Sequence, residues 1–468
     1  MIKKYTFYIS LFLSCSFLNA QKLDASILEF EEYLGYVKKF HPIAKQADLL
    51  MQSGQAKLMK SRGGFDPKIE VDFSKKEFKG TTYYDKLNAT FKIPTWYGID
   101  VKGSFSQNDG TYLNPEYTVP EDGLYSAGLK MSIGQGLWIN DRMATLKKAK
   151  FYKEQSKADR EITVNQVLYD ASIAYFNWLQ AYNESLIFEN FYKNAQVRFS
   201  GIKRSAELGQ IATIDTVEAK ITIQNRALSL EQAKLNLIKS KLELSSFLWL
   251  NDVPIELQET IIPDQNLVED IDVTLEILGK PLDSFTIENH PKLKSYEYKI
   301  KSLTVDKNLK ANKLLPKIDV EYNFLTETPG EINSFETEYY KGGINFQLPL
   351  FLRKERGDLK LAKYKLQDAK YDKDNVQLQI RNKIVSLYTE LDSFEVQNEY
   401  IFDIVTNYRA LLAAEERKFS FGESSVFLIN SRESKLIDAE LKQNQIQNKF
   451  FTVKAKLFNS LALSLENL

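Results

Sequence analysis

Two separated motifs recur in this chain at one spacing. Phe40-His41-Pro42 returns as Asn289-His290-Pro291, 249 positions on (41 to 290). Pro67-Lys68-Ile69-Glu70-Val71-Asp72 returns as Pro316-Lys317-Ile318-Asp319-Val320-Glu321 at the same offset (67 to 316). The fold is therefore two copies of one unit, and what one copy builds the other builds too. Farther on, Ala127-Gly128-Leu129-Lys130-Met131 resembles Gly342-Gly343-Ile344-Asn345-Phe346 at 215, and Leu208-Gly209-Gln210 resembles Phe421-Gly422-Glu423 at 213. The drop in offset marks an insertion in the first copy, between about residues 80 and 124. The chain divides into a leader (1–20), repeat one (21–250), a linker rich in Pro, Asp and Glu (251–283) and repeat two (284–468).

Each repeat shows two periodicities. His41-Pro42 and His290-Pro291 start helices, because a proline at the first helical position gives up only an N–H that has no partner anyway. Next come strands, over about 67–135 and about 316–350. Ile69, Val71 and Phe73 alternate with Lys68, Glu70 and Asp72; Ile318, Val320 and Tyr322 alternate with Lys317, Asp319 and Glu321. A period of two gives each strand one apolar and one polar face. The insertion adds two further candidates, Leu87 to Ile93 and Ile99 to Phe105. Then the period changes. Leu387, Leu391, Phe394, Asn398, Ile401, Val405, Tyr408 and Leu412 form a heptad seam, and subtracting 213 gives the matching seam Ala174 to Phe199. The run Ile214, Val217, Ile221, Gln224, Leu228, Glu231, Leu235, Ile238, Leu242 continues the pattern. Long helical hairpins are expected over about 141–250 and 355–465, the first helix reaching on the order of 100 Å at 1.5 Å per residue.

Composition narrows the function. Among 468 residues, 62 basic and 62 acidic side chains cancel, which argues against a nucleic-acid binder. Two histidines and one cysteine leave little material for a zinc centre or a Ser–His or Cys–His group, so no catalytic, cofactor or metal residues are assigned. Lys3-Lys4, the apolar run Phe7 to Leu18 and Asn19-Ala20 before Gln21 read as an export signal. Cleavage after Ala20 is favoured over lipid attachment at Cys15, where Phe12-Leu13-Ser14 is a poor lipobox; the processed chain then has no cysteine.

An exported chain with amphipathic strands and no spanning helix points to an outer-membrane β-barrel. An open sheet leaves edge backbone groups that hydrocarbon cannot satisfy, so a few strands per chain must close by joining copies. Tyr83-Tyr84, Trp96-Tyr97, Trp138, Tyr339-Tyr340 and Phe351 stand where interfacial girdles would lie.

The duplicated Asn/Phe-His-Pro helix start, the strand entry Leu315-Pro316-Lys317-Ile318 and the Gly turns that lead into helices (Gly209 to Ala219; Gly422 to Arg432) resemble the TolC-type outer-membrane efflux family over essentially the whole mature chain. The resemblance implies an α+β membrane protein: a homotrimer with one shared β-barrel in outer-membrane lipid, continued by a periplasmic coiled-coil tunnel. It implies a periplasmic adaptor (membrane fusion protein) and an inner-membrane pump of RND or ABC type as partners, with no catalysis. It also implies that the hairpin tips, Gly209, Gln210, Gly422 and Glu423, dock the adaptor. The family's two strands per repeat give twelve in a trimer, so the insertion is expected to be an elaborated loop on that minimal barrel.

Glu415, Glu416 and Asp215 are the entrance-gating candidates, since a threefold ring of carboxylates sets cation preference. Lys68, Glu70, Asp72, Lys317, Asp319 and Glu321 are the pore-lining candidates. The two histidines are expected to cap helices. The competing reading is a periplasmic adaptor or scaffold with long hairpins and a soluble β-domain; tandem hairpins without an inner-membrane anchor weigh against it. An enzyme has no supporting motif.

Overall fold

The computed structural model describes residues 26–277, 287–331 and 334–465; the expected leader with Cys15, and residues 278–283 of the expected linker, lie outside the described residues. In chain order the elements are β1 (Ser26–Leu28), α1 (Phe30–Phe40), α2 (Pro42–Arg62), β2 (Lys68–Phe78), β3 (Thr81–Pro94), β4 (Ile99–Asp109), β5 (Leu124–Gly134), α3 (Asp141–Glu207), α4 (Thr213–Ser245), β6 (Trp249–Leu250), β7 (Val253–Pro254), β8 (Ile261–Pro263), α5 (Leu267–Thr274), α6 (Pro291–Asn312), β9 (Lys317–Thr326), β10 (Tyr340–Gln347), α7 (Arg353–Ser420) and α8 (Val426–Leu461). They form two compact units that cut across the repeats. One takes the chain up to Lys45, Val164–Ser284 and Ile384–Leu468; the other takes Gln46–Thr163 and Phe285–Lys383. The helices α3 (67 residues) and α7 (68 residues) each contribute to both.

The first of these units is mainly helical in its described residues. Its densest core gathers Phe30, Tyr33, Tyr175, Phe176, Trp178 and Phe451, with Leu244, Leu267 and Ile271 around them. Here the linker is part of the packing rather than a tether. β8 pairs in parallel with β1, and the buried Tyr175 hydroxyl donates to the Leu28 carbonyl (2.6 Å) and accepts from the Asp264 N–H (3.0 Å). A second cluster, Phe191, Val405, Leu412, Ile429 and Leu436, joins α3, α7 and α8. The expected seam on α4 turns outward: Ile214, Leu228, Ile238 and Leu242 are all more than half exposed, while Leu230, Ala233 and Leu244 are buried.

The other unit carries the sheet, in the order β10-β9-β5-β4-β3-β2, every pair antiparallel. This corrects the expectation of a minimal barrel with an elaborated loop. Within the insertion, residues 81–94 and 99–109 are β3 and β4, and they lie inside the sheet between β2 and β5. The alternation at Leu87 to Ile93 and Ile99 to Phe105 is what fits them there; a loop has no need to alternate. The β2–β3 turn is Lys79-Gly80, with φ of 51° and 72°, the two left-handed residues that a two-residue hairpin turn requires. Strand lengths of 8 to 14 residues bracket the 9–11 that cross a bilayer at a tilt. Among the described residues no helix is long and apolar enough to cross a membrane.

Candidate functional site

The sheet has two chemically distinct faces, set by register. On one, Ile69, Phe91, Gly103, Ala127, Phe324 and Tyr340 follow one another across the six strands. A neighbouring row on that face is Ile93, Val101, Leu129, Tyr322 and Gly342. The apolar surface stops where Lys75, Asp85 and Asp109 stand opposite one another, with Lys75 and Asp85 paired at 3.3 Å. Aromatic residues collect at both ends of the strands: Tyr83, Tyr84, Tyr339 and Tyr340 at one, and Trp96, Tyr97, Trp138 and Phe351 at the other, where the helices join. Trp138 and Phe351 are exposed and Trp96 stacks on Phe65 at 5.6 Å.

The opposite face carries all six pore-lining candidates. Lys68, Glu70 and Asp72 pair in register with Lys92, Thr90 and Asn88, and Lys317, Asp319 and Glu321 with Gly134, Ser132 and Lys130. The register then shows what no local motif showed. Lys68, Lys92, Lys102, Gly128, Asn323 and Lys341 form one row across all six strands, so four of six positions are lysine. Lys92 pairs with Asp100 (3.1 Å) and Lys102 with Glu321 (3.0 Å). Lys68 and Lys341, on the two outermost strands, form no ion pair within the described residues. A pairing register cannot be read from one strand at a time, which hides such a row in the sequence.

Helix junctions hold the sheet at its helix end. Asn140 caps α3, accepting the Met143 N–H at 2.8 Å while its amide donates to the Trp96 carbonyl at 3.1 Å. Asp100, buried at that end, binds both Arg142 (2.9 Å) and Lys92. The Asn312 amide donates to the carbonyls of Ile139 (2.7 Å) and Gln135, and the Gln135 amide returns bonds to Lys313 and Leu315, so the two repeats tie their strand–helix junctions together.

The two hairpin tips are the same object built twice. After α3, Gly209 (φ 73°) sends its N–H to the Ala206 carbonyl (3.0 Å) and Gln210 to the Ser205 carbonyl (2.9 Å). After α7, Gly422 (φ 76°) sends its N–H to Phe419 (2.9 Å) and Glu423 to Lys418 (3.0 Å). Each is a Schellman turn, in which a left-handed glycine lets the last carbonyls of the helix find donors. Gly209, Gln210, Gly422 and Glu423 are exposed.

Of the carboxylates near the tips, Glu415 is buried. It accepts from the Ser424 hydroxyl at 2.5 Å and lies 3.7 Å from Arg432, so its charge is engaged within its own hairpin. Glu416 is exposed and pairs with Arg198 at 3.2 Å; Asp215 is half-buried in the first turn of α4. Glu433 was not singled out from sequence, yet its side chain is almost wholly buried, the most so of the charged residues described here. It binds Arg198 at 2.6 Å and Arg226 at 3.2 Å, linking α8 to α3 and α4. The signal was available: Glu433 interrupts the apolar run Val426, Ile429, Leu436 at heptad spacing.

The histidines cap helices in both repeats. The Nδ1 of His290 accepts the Lys292 N–H (3.1 Å), and that of His41 accepts the Ile43 N–H (3.3 Å). Among the described residues, no group of three metal-ligating side chains comes together.

Residues 284–462 match the family model described as outer membrane efflux protein. That match covers the second repeat, about two fifths of the chain. No curated protein matches the sequence. The fold is that of solved channels. CmeC, an outer membrane channel of Campylobacter jejuni, is 15% identical at a TM-score of 0.65, covering 92% of this chain and 85% of its own. The MtrE outer membrane channel of Neisseria gonorrhoeae, solved in its open state, is 12% identical at 0.66, covering 93% and 89%. The outer membrane protein VceC of Vibrio cholerae is 11% identical at 0.64, covering 93% and 97%. This chain thus shares the fold of those proteins at identities where little beyond fold transfers.

Proposed function

We propose that this chain is one subunit of a homotrimeric outer-membrane channel, a passive conduit that passes cargo from a periplasm-spanning complex to the outside. The observation that carries the reading is the sheet: one face apolar, the other polar, and a free backbone edge at each side. Such a sheet is stable in lipid only when closed. The outward heptad stripe on α4 supports the same reading, because a run of exposed Ile, Val and Leu at coiled-coil spacing needs another helix against it, and a neighbouring subunit supplies one. The polar sheet face then lines the lumen, with Lys68, Glu70, Asp72, Lys317, Asp319 and Glu321 in the wall.

The tips Gly209, Gln210, Gly422 and Glu423 are the surface for a periplasmic adaptor, with energy coming from an inner-membrane pump of RND or ABC type. Of the gating candidates, Glu416 has the exposure that an entrance carboxylate needs, and Asp215 is half-buried. No cofactor takes part. Outer-membrane fractionation followed by electrophoresis with and without boiling tests the reading, together with single-channel recording in planar bilayers. Expected are a heat-modifiable oligomer in the outer membrane and discrete conductance steps. A monomer released by osmotic shock would refute it and restore the periplasmic-scaffold alternative.

A further inference from the structure

We propose that three copies of this chain close an eighteen-stranded wall, β2 of each copy pairing with β10 of the next, and that the pore is about half as wide again as a twelve-stranded one. The inference rests on the oligomeric channel proposed above and goes beyond it in stating what the seam is and how large the opening becomes.

The argument begins with direction. Six strands joined only by antiparallel pairs leave β2 and β10 running opposite ways. A β2 laid beside the β10 of another copy is therefore antiparallel, and the alternation continues around the ring unbroken. Had the insertion supplied an odd number of strands, the seam would be parallel. Faces match as well. In β2 the apolar positions Ile69, Val71 and Phe73 share a face, and in β10 Ile344 and Phe346 do. Both edge strands are exposed along their full length, Ile69 and Ile344 at 75% and 77%, whereas β3, β4, β5 and β9 are mostly half-buried. On the polar face, Glu70 and Asp72 of β2 meet a β10 that offers Lys341, Asn345 and Gln347. Acid against cation and amides favours this edge over β2 meeting another β2.

Width follows from strand number. At about 4.8 Å between strands and a tilt of about 40°, eighteen strands give a backbone diameter of about 36 Å, and twelve about 24 Å. In the closed ring the lysine row is repeated three times, and Lys68 and Lys341, which form no ion pair among the described residues, lie at each seam.

Two measurements on the full-length protein in outer membranes test the proposal, on a chain that is free of cysteine after leader removal. First, Glu70→Cys or Asp72→Cys is combined with Gly343→Cys or Asn345→Cys, four pairs that scan the seam register. Oxidation should link at least one pair into dimers and trimers that survive boiling. Second, single cysteines replace Thr90 and Ser104 on the polar face, and Ala89 and Val101 on the apolar face. A charged, water-soluble maleimide should label the first two at least tenfold faster. All of these side chains are on strand faces, and the heat-modifiable oligomer reports which variants have assembled. If no seam pair links, or both faces of β3 and β4 label equally, the wall does not contain eighteen strands. The channel reading survives that result provided the oligomer and its conductance persist, and fails with them if they vanish.

Discussion

Replacing Glu433 with Ala removes the carboxylate that holds Arg198 and Arg226 together between three helices. Both arginine side chains are only 13% exposed, and the glutamate side chain 1%. Breaking a buried pair by deleting one partner costs about 3–5 kcal/mol, because the remaining charge stays buried without its counter-ion. The surroundings place this case at the low end. Arg198 keeps Glu416 at 3.2 Å, and Arg226 keeps the Ser434 hydroxyl at 3.1 Å. A loss of about 3 kcal/mol corresponds to a rise of more than a hundredfold in the population of opened tips, since about 1.4 kcal/mol is tenfold. Native-state hydrogen exchange reads that population directly: amides of α3 near Arg198 and of α8 near Glu433 should lose protection by about two orders of magnitude. Glu440→Ala is the control. It breaks a pair with Arg409, which is 64% exposed, and such surface pairs contribute about 0–1 kcal/mol. If Glu433→Ala changes protection no more than Glu440→Ala does, the network does not secure the tips. If tip opening gates the channel, the same variant will also raise the open probability in planar bilayers.

Gly209→Ala and Gly422→Ala should each destabilise their tip by about 1–2 kcal/mol, the cost of a left-handed backbone with a Cβ. No heavy atom lies within 4 Å of the added methyl, so hydrogen exchange confined to the turns should show a backbone effect without a clash. Burial lowers the pKa of His41, which stacks on Phe247 at 5.6 Å. Its neutral form is therefore the folded form: stability should be complete above the ordinary value of about 6.5 and fall as pH drops through the lower folded value. Thermal melts from pH 7.5 to 5 should show the decline, and His41→Gln should flatten it. Lys68→Gln with Lys341→Gln should move the reversal potential in a KCl gradient toward cation preference; an unchanged potential would mean that the lysine row does not face the permeating ions.

The duplication made much of the fold legible, because the elements common to both repeats had to agree. The strand alternation identified the polar and apolar faces residue by residue, and the left-handed glycines marked both hairpin ends. What escaped was non-local. Whether β3 and β4 enter the sheet depends on their pairing with β2 and β5, and a preference for four strands per subunit, taken from the resemblance, outweighed an alternation already visible at Leu87 to Ile93. Glu415 lies about two turns before Gly422, but position along a helix does not give the rotational face, and Glu415 turns toward Ser424 within its own hairpin. Glu433 was passed over because a charge among charges attracts no notice until its neighbours at heptad spacing are seen to be apolar. The α4 stripe has the spacing of a seam, yet spacing does not say whether a partner helix belongs to the same molecule, and within the subunit the stripe is exposed.

The inserted hairpin leaves untouched the places where β2 follows α2 and where β5 leads into α3. An ancestral chain could thus gain bore without altering the helices or their tips, provided that it gained strands two at a time. The diameter of the outlet and the machinery that loads it are then separately heritable traits, and selection for bulkier cargo could act on the first while the second stayed as it was.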